Sequence, residues 1–146
     1  MRRYAPSFVL WAHVGLLATV IPLLDRLFSL QTILRLLTPP HHLQPYRKVP
    51  TETIAAAVGR RLAHPHNMRR RACLRSGWML FHFLRLAGRR PVLRIAVYPP
   101  QDGVCLRAHC WVTLNGAEVS APPDGAAAVV VEYDGHTASC PKSICL

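Results

Sequence analysis

The stretch that decides the fold is RACLRSGWMLFHFLRLAGRRPVLRIAVYPPQDGVCLRAHCW, residues 71–111. Cys73 stands at the expected start of a helix and Gly88 at its expected end. After Gly88 the apolar residues alternate, which predicts strands, and His109 falls on the second of them. A cysteine that opens a helix and a histidine on a following strand suit a thiol nucleophile and its base.

Composition indicates a folded protein with a modest core. The chain has 146 residues, of which 51% are hydrophobic and 17% charged, and this excludes general disorder. Its five cysteines include no CxxC pair, which argues against a disulfide framework and a zinc ribbon. We therefore expect a reducing, cytoplasmic location and no requirement for a metal or an organic cofactor.

The formal net charge of +11 would attract nucleic acid, anionic lipid or an acidic peptide. Arginine supplies most of it, in clusters at Arg2-Arg3, Arg60-Arg61, Arg69-Arg70-Arg71 and Arg89-Arg90. These clusters are spread over several predicted elements, and no base-stacking motif accompanies them. We therefore expect no nucleic-acid partner.

Residues 4–37 form an apolar N-terminal region that ends in an amphipathic segment. The sequence predicts either a helical hairpin that is buried or touches a membrane, or a membrane-spanning helix; His13 and Pro22 interrupt the apolar run. Residues 38–50 hold four prolines and predict a linker. We divide the chain into an N-terminal helical region with its linker, 1–50, and a core, 51–146. The amphipathic segment places these residues on one face: Leu27, Leu30, Ile33, Leu34 and Leu37.

The core is predicted to contain two helices followed by an antiparallel sheet. The first helix runs from an N-cap at Thr51 to residue 63, and the second from Cys73 to Gly88. Asn115-Gly116 is a strong hairpin signal. The expected strands are 91–98, 104–114, 117–120 and 126–133. The fold class is α+β, with N-terminal helices followed by a catalytic-type helix packed on a small antiparallel sheet.

The helix start gives Cys73 its chemical interest. The helix dipole and free backbone N–H groups would stabilise a thiolate there, and the same donors suit an oxyanion. We expect His109 to reach a helix packed across its own face of the strand, which it shares with Trp111. Cys105 is the rival nucleophile on that face but lacks a helix dipole. The alternative is that Cys73 is a structural cysteine and His109 an ordinary strand residue.

Several of these residues match one family pattern in combination. The run Cys73-Leu74, the apolar helix ending at Gly88, the strand Ala108-His109-Cys110-Trp111-Val112 and the turn Asn115-Gly116 resemble the leader peptidase of lasso peptide biosynthesis. That family is the C-terminal half of the B protein and belongs to the transglutaminase-like, papain-related cysteine enzymes. The resemblance covers residues 51–124 and implies a transglutaminase-like fold.

The resemblance also implies catalytic roles. Cys73 would be the nucleophile, and His109 the base that later protonates the leaving amine. The family's third residue is an aspartate shortly after the hairpin, and here the matching position holds Ala121. Asp124 is the first candidate for its role and Ser120 the second, while a site without a third residue, or one that has lost activity, stays open.

By the same resemblance the protein would remove the leader from a ribosomally made lasso-type precursor peptide. A separate leader-recognition protein would present the leader, and a macrolactam synthetase would act on the product. We expect Trp111 and Arg71 to contact substrate, and the arginine clusters to dock the partner or an acidic leader. Two alternatives remain: a related acyl transferase, and a non-catalytic scaffold on the same fold.

Overall fold

The computed structural model describes residues 8–63, 72–99, 108–123, 125 and 127–139. Within them an all-antiparallel sheet follows four helices, so the predicted α+β class is confirmed. The helices are α1 (Phe8–Leu27), α2 (Leu30–Leu36), α3 (Thr51–Leu62) and α4 (Ala72–Leu86). The strands are β1 (Pro91–Val97), β2 (Ala108–Leu114), β3 (Ala117–Glu118), β4 (Ala128–Tyr133) and β5 (Ala138–Ser139).

The sheet has the order β3-β2-β1-β4-β5, which places β1 at its centre. The predicted hairpin joins β2 to β3: Asn115 and Gly116 both have positive φ, 52° and 81°, as the tight turn requires. The first four residues of the strand predicted at 104–114 lie outside the described residues. β2 begins at Ala108, so His109 lies at the start of the described strand.

Helix α4 is the central element of the fold. It packs against α1 and α3 as well as against β1 and β2, and residues 77–86 are buried with the exception of the half-buried His82. The sequence pattern gives this helix one apolar face, but the structure covers it on both sides. Arg85, on the more polar side, is only 7% exposed and donates a hydrogen bond from Nη1 to the carbonyl of Asp134 at 2.9 Å.

The contact between α4 and the sheet is tightest at Gly77. A Cβ added there would overlap Sγ of Cys110 and press on Cδ1 of Leu93. Glycine at this position therefore lets the helix approach β1 and β2 more closely than a larger residue would allow.

Helix α1 adds a second layer over α4. Leu10, Val14, Ala18 and Ile21 form its buried stripe, each at most 4% exposed, and the helix continues through Pro22. Among the described residues α1 alone is long and apolar enough to cross a membrane, by length and composition only. Its outward face and the residues after it carry the large apolar side chains that are exposed, which are Phe8, Val9, Leu16, Leu23, Leu27, Phe28, Leu30, Leu36 and Leu43.

The predicted linker, residues 38–50, contains no helix or strand but is held against the core. Tyr46 is 4% exposed, its N–H donates to the carbonyl of Leu86 at 3.2 Å, and its hydroxyl lies 2.9 Å from Nδ1 of His13. The hydroxyls of Thr38 and Tyr133 lie 2.9 Å apart. One hydrophobic core thus contains residues from both sides of the predicted boundary at residue 50.

Two local predictions are corrected. The N-cap of α3 is Pro50 rather than Thr51, because proline's fixed φ, here −61°, with ψ of 148° supplies the extended geometry before the first helical residue. The amphipathic face predicted for the segment before the linker is only partly buried. Ile33, Leu34 and Leu37 enter the core, whereas Leu27 is 65% and Leu30 37% exposed, because the chain turns between α1 and α2.

We expect Gly77→Ala to lower the free energy of unfolding by about 1–3 kcal/mol, since the new methyl group overpacks the contact with Cys110. Gly59→Ala is the matched control on exposed α3, where an added Cβ meets nothing within 4 Å, and it should raise stability by about 0.5–1 kcal/mol. Urea unfolding measures both. In a Cys110→Ala background the Gly77→Ala substitution should lower the free energy of unfolding by less than it does in the wild type. An equal loss in the two backgrounds would contradict the contact between Gly77 and Cys110.

We expect acid to destabilise the packing of α1 on α4 through His82. Burial lowers the pKa of His82 below the usual value of about 6.5. On acidification His82 therefore binds a proton at a higher pH in the unfolded chain than in the folded protein. The free energy of unfolding should fall as the pH drops below about 6.5. Urea unfolding between pH 7.5 and 5 measures this slope.

The variant His82→Asn should flatten the slope, because it keeps a donor for the carbonyl of Leu37, 2.9 Å from Nδ1, and does not titrate. The exposed His42→Asn is the control and should leave the slope unchanged. Burial also lowers the pKa of His13, which should supply part of the slope that remains. An unaltered slope in His82→Asn would refute the assignment.

Candidate active site

A pocket of about 720 Å³ lies where α4 and β2 begin. Cys73 and His109, the two catalytic residues predicted from the sequence, both line this pocket. Trp78 from α4 and Cys110 from β2 also line it. Its other wall comes from the turn between α1 and α2, which belongs to the N-terminal region.

Cys73 is the second residue of α4 and is half-buried. In an α-helix the backbone N–H groups of the first turn have no partner within the helix. The Cys73 thiol donates a weak hydrogen bond to the carbonyl of Ala108, with Sγ 3.7 Å from the oxygen. The nucleophile candidate therefore rests against the residue that precedes His109.

Cys110 shares the pocket but is a different kind of thiol. It is 4% exposed, and burial, followed by the nearby Cys73, raises its pKa far above the usual value. A thiol that stays protonated is a poor nucleophile. Of the two free cysteines in the described part of the chain, Cys73 is therefore the candidate for chemistry; Cys105, the rival by sequence, lies outside that part.

His109 is held by a main-chain group. Its Nε2 lies 2.9 Å from the carbonyl oxygen of Ala121. Because a carbonyl oxygen only accepts, Nε2 must carry the hydrogen, and in the neutral ring Nδ1 is then the acceptor. The imidazole also stacks on Trp111, with ring centroids 6.2 Å apart and an interplanar angle of 28°. The imidazole is thus held on two sides, by a main-chain oxygen and by an aromatic ring.

The helix covers a different face of β2 from the one predicted. Cys110 and Val112 face α4 and belong to the hydrophobic core, whereas His109 alternates with them. His109 still reaches the pocket because it stands near the strand's beginning, beside the first turn of α4. Cys73 and His109 therefore line the same pocket at the end of the strand rather than across the sheet face.

The segment after the hairpin is tied to β2 at two points. The Ser120 hydroxyl accepts a hydrogen bond from the N–H of Val112 at 3.0 Å, and the N–H of Val119 donates to the carbonyl of Val112 at 2.9 Å. Pro122 follows Ala121 and restricts its backbone to extended conformations. These constraints fix the direction of the Ala121 carbonyl.

The positions considered for the third catalytic residue differ in what the structure shows of them. The Ser120 hydroxyl is bonded to the backbone of Val112 and not to His109. Asp124 lies outside the described residues, so its role stays a prediction. Ala121, which stands where the resembling family has its aspartate, supplies a carbonyl oxygen to the imidazole instead of a carboxylate.

The two residues predicted to contact substrate also stay predictions. Arg71 lies outside the described residues. Trp111 is 4% exposed and packs beside His109, which gives it a visible role in holding the ring. In the described part of the chain no group of three His, Cys, Asp or Glu residues is arranged to hold a metal ion.

Sequence reasoning missed the wall contributed by the N-terminal region. Asp25, Phe28, Leu30 and Ile33 line the pocket opposite the first turn of α4. One signal was present: Asp25 is the sole acidic residue between Phe8 and Thr51, at the point where the apolar run gives way to the amphipathic segment. No local pattern, however, reports that this segment packs beside a helix nearly fifty residues later.

Comparison with known proteins places this arrangement in a family. The sequence pattern of a family described as the transglutaminase-like superfamily matches residues 15–132, which includes both α1 and the Cys73–His109 pocket. Neither the curated proteins nor the solved structures contain a significant match to the chain.

Proposed function

We propose that this chain, which belongs to the transglutaminase-like superfamily, is a cysteine peptidase. The observation that carries the proposal is the pocket shared by Cys73 and His109, in which a carbonyl holds the imidazole by Nε2. This leaves Nδ1 as the basic nitrogen in a pocket that also holds a thiol from the first turn of a helix. The superfamily match supports a thiol-based acyl reaction in general, and the residues in the pocket supply its parts.

The reaction begins when the Cys73 thiol turns from the carbonyl of Ala108 towards Nδ1 of His109. Hydrogen bonds between catalytic groups are often long in free enzymes and tighten when substrate binds. The thiol proton passes to Nδ1, and Sγ bonds to the peptide carbonyl carbon, whose oxygen becomes an oxyanion. Collapse of this intermediate breaks the C–N bond, and the imidazolium gives its proton to the leaving amine. Water, deprotonated by Nδ1, then hydrolyses the thioester and releases the thiol.

The first turn of α4 supplies the oxyanion donors. Its N–H groups have no partner within the helix, and the helix dipole favours negative charge at this end. The backbone N–H of Cys73 itself belongs to this turn. Donors of this kind are fixed before the reaction starts and need no reorganisation in the transition state.

The carbonyl of Ala121 takes the orienting part of the third residue's role. It holds the ring in the correct tautomer, as a carboxylate would, but it carries only a partial negative charge. It therefore stabilises the imidazolium less than an aspartate does. We expect a working peptidase that turns over slowly.

More specifically, we propose that the peptide bond that is cut joins the leader to the rest of a lasso-type precursor peptide. It is supported by the resemblance carried by Cys73-Leu74, by the strand from Ala108 to Val112 and by the Asn115-Gly116 turn. A separate recognition protein would present the leader, and a macrolactam synthetase would use the product. The net charge of +11 favours an acidic leader or partner, and Arg60 and Arg90 are exposed for such a contact.

Acyl transfer to an amine is the second candidate, favoured by the transglutaminase-like description of the superfamily. It shares every step up to the thioester and differs in the acceptor, which is an amine in place of water. Addition of an amine to the cleavage reaction separates the two: a peptidase releases the free acid, whereas a transferase accumulates the amide.

We expect the wild-type protein to cut a lasso-type precursor peptide in the presence of its recognition protein, and Cys73→Ala to abolish the cut. Mass spectrometry of the products identifies the bond. Cys110→Ala is the matched control, because it removes the other thiol of the pocket but not the nucleophile, and it should retain cleavage. Equal products from wild type and Cys73→Ala would overturn the peptidase and favour a non-catalytic scaffold.

We expect Ser120→Ala to lower kcat about tenfold with little change in KM, because the Ala121 carbonyl would lose its anchor to β2. Ser120→Thr keeps the hydroxyl and should restore the rate. Ala121→Asp places a carboxylate at the position of the family's acid and gives a second test of the orienting role. A kcat in Ser120→Ala equal to that of the wild type would show that the anchor does not position His109.

A further inference from the structure

The wall of the pocket opposite Cys73 is apolar and partly open to solvent. Phe28 is 45% and Leu30 37% exposed, although both line the pocket, and the buried Ile33 lies behind them. Large apolar side chains exposed beside a reactive group favour binding of another apolar group. Asp25 is the one carboxylate in the described lining.

A second observation concerns Trp78, whose side chain belongs to the pocket lining. It is 1% exposed, yet its Nε1–H has no hydrogen-bond partner in the described part of the structure. A buried donor left without an acceptor destabilises the folded protein. An acceptor brought by a ligand would offset that loss of stability, and a peptide carbonyl is the acceptor that a peptidase substrate offers.

We propose that this pocket is a subsite for a large apolar side chain of the substrate, adjacent to the cleaved bond. Phe28, Leu30 and Ile33 contact that side chain, and Trp78 donates from Nε1 to a backbone carbonyl of the same peptide. The volume of about 720 Å³ falls within the usual range of ligand pockets and accommodates an aromatic side chain together with its backbone. The inference rests on the proposed function for Cys73, and it gives the N-terminal helices a part in substrate selection.

The first test compares two thiol reagents on the full chain. Iodoacetamide carries no side chain, whereas N-benzyl iodoacetamide carries an aromatic group that the subsite would bind. After correction for their rates with glutathione, we expect the benzyl reagent to alkylate Cys73 about tenfold faster, from partial burial of the ring. Mass spectrometry of tryptic peptides assigns the alkylation to Cys73, and Cys73→Ser identifies signals from other thiols.

Substitutions at two adjacent positions distinguish binding in the subsite from non-specific binding to exposed apolar side chains. Phe28→Ala removes a lining residue and should reduce the preference for the benzyl reagent to near one. Leu27→Ala is the matched control: Leu27 is 65% exposed, adjacent in sequence, and not part of the lining, so the preference should persist. Both positions are exposed enough for the variants to fold. Equal losses in the two variants would overturn the subsite.

The alkylation rates test the apolar subsite and the nucleophilic role of Cys73 separately. If Cys73 reacts with both reagents at equal corrected rates, the subsite is refuted and the proposed peptidase stands. If Cys73 reacts with neither reagent, the peptidase proposal fails, and equilibrium binding then decides the subsite. For that measurement Cys73→Ala is titrated by NMR with N-acetylphenylalanine amide and with N-acetylserine amide.

We expect the phenylalanine compound to bind at least about tenfold more tightly. Trp78→Phe in the same background should weaken its binding about fivefold, by loss of one hydrogen bond, while leaving the preference over serine. Equal binding of the two compounds would refute the apolar subsite. Unchanged affinity in Trp78→Phe would refute the role of the indole N–H.

Discussion

Helix α4 approaches β2 closely where Gly77 meets Cys110, and the spacing between the helix and the sheet depends on this contact. Gly77 lies four residues after Cys73, so both project from the same side of the helix, one turn apart. The spacing set at Gly77 therefore also sets how near the first turn of α4 stands to the end of β2. That turn carries the Cys73 thiol and that strand end carries the His109 imidazole, so the contact at Gly77 bears on the spacing of two residues that line the pocket.

The second constraint acts on the imidazole rather than on the thiol. His109 is bounded by the ring of Trp111 and by the carbonyl of Ala121, and the carbonyl is in turn held by Ser120 and Pro122. The backbone thus performs the positioning for which related enzymes use a side chain. The pocket wall near the turn between α1 and α2 is built separately, so the position of the imidazole and the shape of the pocket depend on different parts of the chain.

The sequence permits prediction of the elements that local patterns encode. Alternating residues in β1, the Asn115-Gly116 turn and the Gly88 stop of α4 all depend on neighbours in the chain, and the α+β class follows from their order. Features that depend on packing between residues far apart in the sequence could not be predicted from it. Arg85 appears polar by pattern but is buried, because the carbonyl of Asp134 accepts its hydrogen bond. The hydrogen bond from His109 to Ala121 was unpredictable for a simpler reason, since every residue has a carbonyl and none is distinctive.

That carbonyl bears on how active members of the transglutaminase-like superfamily are recognised from their sequences. A scheme that requires cysteine, histidine and acid side chains at set positions would classify this chain as a dead homologue, because the acid's place holds alanine. A backbone oxygen, however, survives any side-chain replacement that preserves the local conformation. The side chain at residue 121 can therefore change without releasing the histidine, so long as Pro122 keeps the segment extended.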